Sequence, residues 1–500
     1  MQLGALFQPR SIAVIGASEK PTVGRRVVAS LDRIGFTGRI YPVNPSYPIV
    51  LGHACYASMT ELPEEPDVAV FCLGNARVLG AFVAAAERGI KGAVIYDGGF
   101  AEQGEDGRRL QGQIEGICRE ADIALCGPNC MGVLNPHHPS TTYLQELRNP
   151  AGLAGNVGIV SQSGGFCISL LSDTRRFGFS HVVSSGNEAV LAAADYLEYL
   201  VEDPRTEAIG AFIETIRQPD RFTGALDRAA AMGKPVVVLK VGRSERTRRA
   251  VSTHTGGMAG ASEAASALLH AHRAIEVSDL TEFTEVLAAC QGATRATGRR
   301  IGIVTSSGGL AEMILDIADA AALELPPLST AARDDIVARI GFITGDGNPL
   351  DAWGGGTFVT NLPQALSLLD ASPDHDIIVF CRDNSDDPAF DTPELVRRYI
   401  DLFARAAAQS RKPHYLLHSR PGVMDRTGGA TARARHCGSW RAARGIVGDR
   451  SAGASHQPDE FLAVDEDCRN QLRPLKRADR VRGFAIAKMP AAFIPVDCRP

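Results

Sequence analysis

His254 sits in Ser252-Thr253-His254-Thr255-Gly256-Gly257-Met258-Ala259-Gly260, directly after a strand-like run that ends in basic residues. A neutral imidazole attacks a phosphoryl group, and small neighbours let its loop swing between sites, so this residue reads as a phosphohistidine carrier. His53, His137, His138 and His270 lack that setting and are background. Glu214 ends the apolar run Ala211-Phe212-Ile213. A carboxylate there can hold one imidazole nitrogen, set the tautomer and leave the other nitrogen free to attack, although strand-end glutamates are also often solvated or ion-paired. Two similar turns, Ser161-Gln162-Ser163-Gly164-Gly165 and Ser306-Ser307-Gly308-Gly309, each open a helix whose first N–H groups can face an anion. An anion between two helix dipoles would be stabilised without a permanent cation.

These groups must be carried by strands and helices. Ser11–Gly16, Arg39–Asn44, Asp67–Cys72 and Gly92–Tyr96 are short apolar runs separated by helix-length connections, the pattern of a doubly wound parallel sheet. The polar, proline-punctuated stretch from Asn135 to Pro150 closes this first domain, placed at residues 1–145. Gly155–Phe166 and Arg300–Leu310 then begin alike, each a strand, a Ser-Gly-Gly turn and a helix start. This internal similarity implies two related α/β domains, at 150–295 and 298–425, so the fold class is α/β with three consecutive doubly wound units. From Arg426 to the end, residues 426–500 are Arg- and Gly-rich and carry neither a period of two nor one of 3.6. Composition reads this as a solvated tail; a reading-frame shift near codon 426 is the sharper expectation, because the third unit stops short of a final strand and helix.

The 500 residues allow about three domains of ordinary size. With 52 Lys+Arg against 57 Asp+Glu, the formal charge of -5 is too even for general nucleic-acid or membrane binding. Eleven cysteines without CxxC pairs, and no basic-then-apolar leader, point to a reducing cytoplasm. No apolar run reaches the roughly 18 residues that a spanning helix needs. No metal-ligand constellation is read, so the metal expectation is none.

Gly16-Ala17-Ser18 ends the first strand, and Gly24 begins a helix soon after, a turn able to bring N–H groups to a phosphate or merely to pack helix on sheet. Dinucleotide binding is disfavoured: GxGxxG spacing is absent, and the second strand ends in Val43-Asn44-Pro45 where a ribose-binding acid would stand. Cys130, in Gly127-Pro128-Asn129-Cys130, has no nearby base in sequence and is given no catalytic role.

Taken together, the chain resembles the nucleoside-diphosphate-forming acyl-CoA synthetases, relatives of succinyl-CoA synthetase, over about residues 5–425. The resemblance is carried by Ser11–Ser18, Tyr41–Pro45, Gly127–Cys130, Ser161–Gly165, Ser185-Gly186-Asn187-Glu188, Glu214, Lys234–Arg243, His254-Thr255-Gly256 and Asn348-Pro349-Leu350-Asp351. It implies an N-terminal Rossmann-like CoA-binding domain followed by two flavodoxin-like domains. It implies Gly16, Ala17 and Ser18 near the CoA phosphates, with Val43, Asn44 and Pro45 on the adenosine side. It further implies that His254 is phosphorylated in turnover, that Glu214 supports it, and that the helices after Ser163-Gly164-Gly165 and Ser307-Gly308-Gly309 cradle the phosphoryl group.

The activity so implied is acid:CoA ligation from a carboxylic acid, CoA and ATP through an acyl phosphate. No ATP-grasp module is recognisable in the sequence, so ATP and Mg²⁺ are expected to enter through a separate ATP-grasp subunit, unless the chain is a truncated ligase half. The family also suggests an oligomer. The alternative from another class is a noncatalytic CoA-binding or sensing protein; retention of His254 and Glu214 favours the enzyme. The acid ranges in this family from short acids such as acetate to aryl acids such as ferulate, and Phe166, Phe342 and Trp353 are equally pocket or core candidates.

Overall fold

The computed structural model describes residues 3–147, 150–172, 177–244, 246–247, 262–291, 296–341, 343–353, 357–382 and 392–418. The chain divides into two units, 1–291 and 292–500. His254, Phe342 and the 426–500 tail lie outside the described residues.

Among the described residues the first unit is built on two large sheets, beside a small antiparallel pairing of Ile49–Val50 with His53–Ala54. In the first, β1 (Ser11–Ile15), β2 (Arg39–Val43), β3 (Val68–Phe71), β4 (Gly92–Ile95) and β5 (Ala124–Cys126) are parallel in the order β2-β1-β3-β4-β5. Helices α1 (Val23–Ile34), α2 (Asn75–Glu87) and α3 (Glu105–Ala121) connect them. Both faces of β1 are buried, Ile12 and Val14 in one apolar cluster and Ala13 and Ile15 in another, as a strand read as a continuous apolar run should be. Local signals delimit α1. The Thr22 hydroxyl accepts from the Arg25 N–H, and Gly35 ends the helix at φ +80°. The strand order reverses at β1, so the crevice beyond its carboxyl end, between the connections from β1 and β3, is where open sheets of this type bind ligands.

The second sheet is built on β6 (Gly132–Asn135), β7 (Ser140–Thr141), β8 (Ala154–Ser161), β9 (Phe179–Ser184), β10 (Ala208–Ile213), β11 (Val236–Lys240) and β12 (Ile275–Val277), in the order β12-β11-β10-β8-β9-β6-β7. Strands β8 to β12 are parallel, while β6 pairs antiparallel with both β9 and β7. Residues 132–141, at the end of the first expected domain, thus hydrogen-bond into the second sheet. Helices α4 (Gly164–Ser172), α5 (Ala193–Glu202), α6 (Pro219–Ala231), α7 (Ser262–Ala271) and α8 (Leu280–Ala289) complete this lobe. One apolar cluster joins Val14, Val70 and Val94 of the first sheet to Val183, Ile209 and Val238 of the second, with Tyr196 and Leu197 of α5. Burial of that shared face is the reason two sheets form one unit.

In the second unit, β13 (Ile301–Thr305), β14 (Leu350–Asp351), β15 (Ile377–Arg382) and β16 (His414–His418) are parallel in the order β14-β13-β15-β16. They alternate with α9 (Gly308–Ala320), α10 (Thr330–Ile340), α11 (Phe358–Ala371) and α12 (Pro393–Gln409). The Asn348-Pro349-Leu350-Asp351 motif has a structural job here. The buried Asn348 amide donates to the Ile301 and Pro326 carbonyls and accepts from the Ile303 N–H, at 2.8–3.0 Å, sewing β14 beside β13. Among the described residues no helix is long and apolar enough to cross a membrane.

Candidate functional site

The turn after β1 is held by contacts that only small residues permit. Gly16 has φ +87°, and a Cβ there would lie 2.5 Å from the Cys72 carbonyl oxygen; one on Gly24 would lie 2.6 Å from the Gly16 carbonyl. The N-terminus of α1 therefore sits against the switch point of the sheet. Gly16 N–H donates to the Val43 carbonyl at 2.9 Å, and the Asn44 amide donates to the Ala17 carbonyl at 2.6 Å. The expected sets Gly16-Ala17-Ser18 and Val43-Asn44-Pro45 are thus brought together, from strands that are neighbours in space and 27 residues apart at the Asn44–Ala17 bond. Ala17 and Ser18 are buried, whereas Pro45 is exposed.

A cavity of about 610 Å³ opens beside this turn. Its first-lobe walls include Thr22, Val23, Cys72, Leu73, Gly74, Tyr96, Asp97 and Asn129, largely the carboxyl ends of β1, β3, β4 and β5 and the residues that follow them. From the second lobe come Gln162, Ser163, Gly164 and Gly165 at the start of α4, and Gly186 and Asn187. The Ser163-Gly164-Gly165 helix start therefore meets the carboxyl edge of the first sheet and the start of α1 at one hollow, which none of Gly16, Ala17, Ser18, Val43, Asn44 and Pro45 lines; Gly164 packs so closely on Met131 that a Cβ would lie 2.5 Å from its Cγ. Across the hollow, Glu102 accepts from the Gly99 and Phe100 N–H groups and from the Asn187 amide, and the Asn129 amide donates to Asn187 Oδ1 at 3.2 Å. Those bonds to its charged form hold the Glu102 carboxyl below its ordinary range against the opposing effect of burial.

Glu214 follows β10 and is 9% exposed. It is tied to the Ser161–Gly165 turn through Gln162, whose Oε1 accepts from the Glu214 and Thr215 N–H groups at 2.6 and 2.8 Å. The buried Lys240 ammonium donates to the Glu214 carbonyl at 2.8 Å; burial pulls its pKa down while the Glu214 charge opposes the shift. Close by lies Glu188. Its Oε1 accepts from the Ser185 hydroxyl at 2.8 Å and the Ala193 N–H at 3.1 Å, and Oε2 stands 3.6 Å from Arg217 Nε. Burial nonetheless raises its pKa to about 7.

The remaining expectations fall elsewhere. Ser307 caps α9 by accepting from the Leu310 N–H, and Gly308 and Gly309 form its first turn, all in the second unit. Asp351 stands near that turn, 3.6 Å from where a Gly308 Cβ would lie. Phe166 is a core residue, its ring 4.5 Å from Phe212 and 5.0 Å from Phe283. Trp353 is 60% exposed in the second unit. Cys130 lines the cavity, yet its thiol donates to the Ile95 carbonyl at 3.4 Å and burial pushes its pKa well up, as befits a wall residue. Sequence reasoning missed Cys72, Leu73, Asp97 and Asn187 as lining residues. The first three closely follow β3 and β4, so strand-end position was the available signal; Asn187 stands in the Ser185-Gly186-Asn187-Glu188 motif, which carried the resemblance without a role for the residue.

Residues 10–136 match the model of a CoA binding domain, and residues 154–290 that of the succinyl-CoA ligase like flavodoxin domain. The chain is 32% identical to the alpha subunit of Pyrococcus furiosus acetate–CoA ligase [ADP-forming] II, an alignment covering 70% of this chain and 76% of that one. It is 36% identical to a trans-feruloyl-CoA synthase from an unknown prokaryotic organism, over 65% of this chain and 46% of the relative. With Archaeoglobus fulgidus acetate–CoA ligase [ADP-forming] I it shares 32% identity over 75% of this chain and 54% of that protein. The chain thus spans about half the length of the last two relatives. Among solved structures, the Ca. Korarchaeum cryptofilum dinucleotide forming acetyl-coenzyme A synthetase 1, in complex with phosphate and ADP, matches with a TM-score of 0.74 at 25% identity, covering 89% of this chain and 98% of that one.

Proposed function

Because the chain belongs to the ADP-forming acyl-CoA synthetase family, we propose that it is the CoA-binding, phosphohistidine-bearing part of an acid:CoA ligase. The observation that carries the reading is the shared hollow: the carboxyl edge of the first sheet and the N-terminus of α4 line one cavity, and Gln162 ties Glu214 to the same turn. A phosphoryl group carried by His254 would meet the α4 N–H groups at Ser163-Gly164-Gly165, and the family resemblance gives Ser307-Gly308-Gly309, at the start of α9, the same role. CoA would lie along the turn of Gly16, Ala17 and Ser18, its adenosine toward Val43, Asn44 and Pro45; the tight packing at Gly16 and Gly24 and the Asn44–Ala17 bond fit a turn whose backbone is held in one place.

Three balanced steps follow. A neutral His254 nitrogen attacks the γ-phosphorus of ATP and ADP leaves, with the other nitrogen's proton held by Glu214. A substrate carboxylate oxygen then attacks the phosphohistidine phosphorus, giving an acyl phosphate and restoring neutral imidazole. The CoA thiolate attacks the acyl carbon, and phosphate leaves as the thioester forms. Phosphorylation of the carboxylate replaces an oxide, which cannot be expelled, with phosphate, which can.

Among the described residues no group of three or more His, Cys, Asp or Glu could hold a metal ion. In this reading nucleotide and Mg²⁺ belong to an ATP-grasp partner, which the alpha-subunit relatives support. The same relatives support an oligomer. The eight described cysteines, all free, support a reducing, cytoplasmic setting. The relatives named as a trans-feruloyl-CoA synthase and an acetate–CoA ligase support a carboxylic acid substrate, short-chain or aryl.

The test is intact-mass and radiolabel detection of phosphoenzyme on the full chain, given radioactive phosphate with acetyl-CoA or with feruloyl-CoA. An acid-labile label on His254 from one of the two supports the ligase reading and selects the acid class. A chain that binds CoA but takes no label refutes it in favour of a noncatalytic CoA-binding protein.

A further inference from the structure

We propose that Gln162 is a positioning residue for Glu214, acting through the backbone that carries the carboxylate; the inference rests on the phosphohistidine reading above. Strands β8 and β10 run parallel and in register to Ser161 and Phe212. Beyond that pair the ladder stops, and the backbone groups of the next residues would be left without partners in a buried place. Gln162 N–H still reaches the Phe212 carbonyl at 3.1 Å. From there its side chain takes over the role of a strand. Oε1 accepts from Glu214 N–H and Thr215 N–H, and Nε2 donates to the Thr215 carbonyl at 2.7 Å. Lys240 Nζ takes the Glu214 carbonyl. All four backbone polar groups of Glu214 and Thr215 are thereby engaged by two side chains, and Gln162, itself 8% exposed, lines the cavity.

Such an arrangement fixes the direction in which a side chain leaves its Cα more tightly than packing alone, because hydrogen bonds constrain angle as well as distance. A carboxylate that must orient an imidazole for in-line attack depends on that direction. Misplacement of a reacting group by about 1 Å costs on the order of a hundredfold in rate. Amide chemistry and length both matter: a carboxylate at position 162 cannot donate to the Thr215 carbonyl, and an asparagine is one methylene too short to span the pair.

The experiment measures the rate of phosphoenzyme formation from acetyl-CoA or feruloyl-CoA and labelled phosphate, using the full chain and the variants Gln162→Ala, Gln162→Asn, Glu214→Ala and Gln162→Ala/Glu214→Ala. CoA affinity is followed by calorimetry on the same samples. Gln162→Ala is expected to slow labelling by about 10- to 100-fold with CoA affinity unchanged within about twofold. The double variant is expected to be no slower than Glu214→Ala alone, the non-additivity of a residue that works through its neighbour. Should Gln162→Ala fail to fold, Gln162→Asn, which keeps the amide but withdraws it, carries the same comparison. Wild-type labelling rates in a folded Gln162 variant, or a loss that adds in full to that of Glu214→Ala, overturn the inference alone. A wild-type chain that takes no label overturns the phosphohistidine reading, and the inference with it.

Discussion

Replacing Glu188 by glutamine should stabilise the first unit at neutral pH and above, and do so less as the pH falls. In the folded chain burial raises its carboxyl to about 7, against 4.5 when solvated, although Ser185, Gln162 and Arg217 oppose the shift. Between those values the folded state holds a proton that the unfolded state has released. Stability therefore falls as pH rises from about 4.5 to about 7. At roughly 1.4 kcal/mol per pH unit, the loss completed by about pH 8 is on the order of 3 kcal/mol. The wild-type profile hides it, because His181 does the reverse. Burial lowers its imidazole to about 4, so its contribution is present above about 6.5 and is lost as pH falls toward 4. The two nearly cancel between about 4.5 and 6.5, and only the difference between variant and wild type isolates Glu188. Both tryptophans, Trp353 and Trp440, lie outside residues 1–291, so tryptophan fluorescence does not report on this unit. Hydrogen exchange of peptides from β8 and β10 does. Measured at equal pH, which cancels the intrinsic exchange rate, Glu188→Gln should exchange about a hundredfold more slowly relative to wild type at pH 8 than at pH 4.5. A difference that is flat with pH, or one that grows toward acid, would refute the argument.

Three further outcomes are expected. Gly16→Ala places a methyl 2.5 Å from the Cys72 carbonyl at φ +87°, whereas Gly35→Ala, at φ +80°, meets nothing within 4 Å. The first should weaken CoA binding by about tenfold or more in calorimetry and the second should cost about 1 kcal/mol of stability alone; equal effects on CoA from both would remove the close-approach argument. His254→Ala should take no phosphoryl label while CoA affinity stays near that of the wild type, and labelling at the wild-type rate would dismiss the carrier role. Cys130→Ser should cost about 1–2 kcal/mol of stability and leave labelling intact, and loss of label from the folded variant would show that a thiol had been wrongly assigned to the wall.

Much of this protein is local and was therefore legible in the chain. Apolar runs such as Ile12–Ile15 and Val236–Leu239 became parallel strands because burial on both faces selects apolar residues at successive positions rather than at alternate ones. Thr22 and Gly35 delimit α1 through bonds made within one turn. The repeated Ser-Gly-Gly turns open helices in both units, since capping requires only the neighbouring N–H groups. What pairs across the chain was not legible. Residues 132–141 join the second sheet instead of ending the first lobe, a matter of which strand edge lies within reach after folding. Cys72, Asp97 and Asn187 become neighbours of Ser163 only when two sheets bury a shared apolar face. Gln162 has no role of its own in the Ser161–Gly165 turn until β8 and β10 lie side by side, and the raised carboxyl of Glu188 arises from burial, which no residue confers on itself. Residue type sets what a group can do; the environment assembled from distant segments decides its charge, its partners and the direction in which it acts.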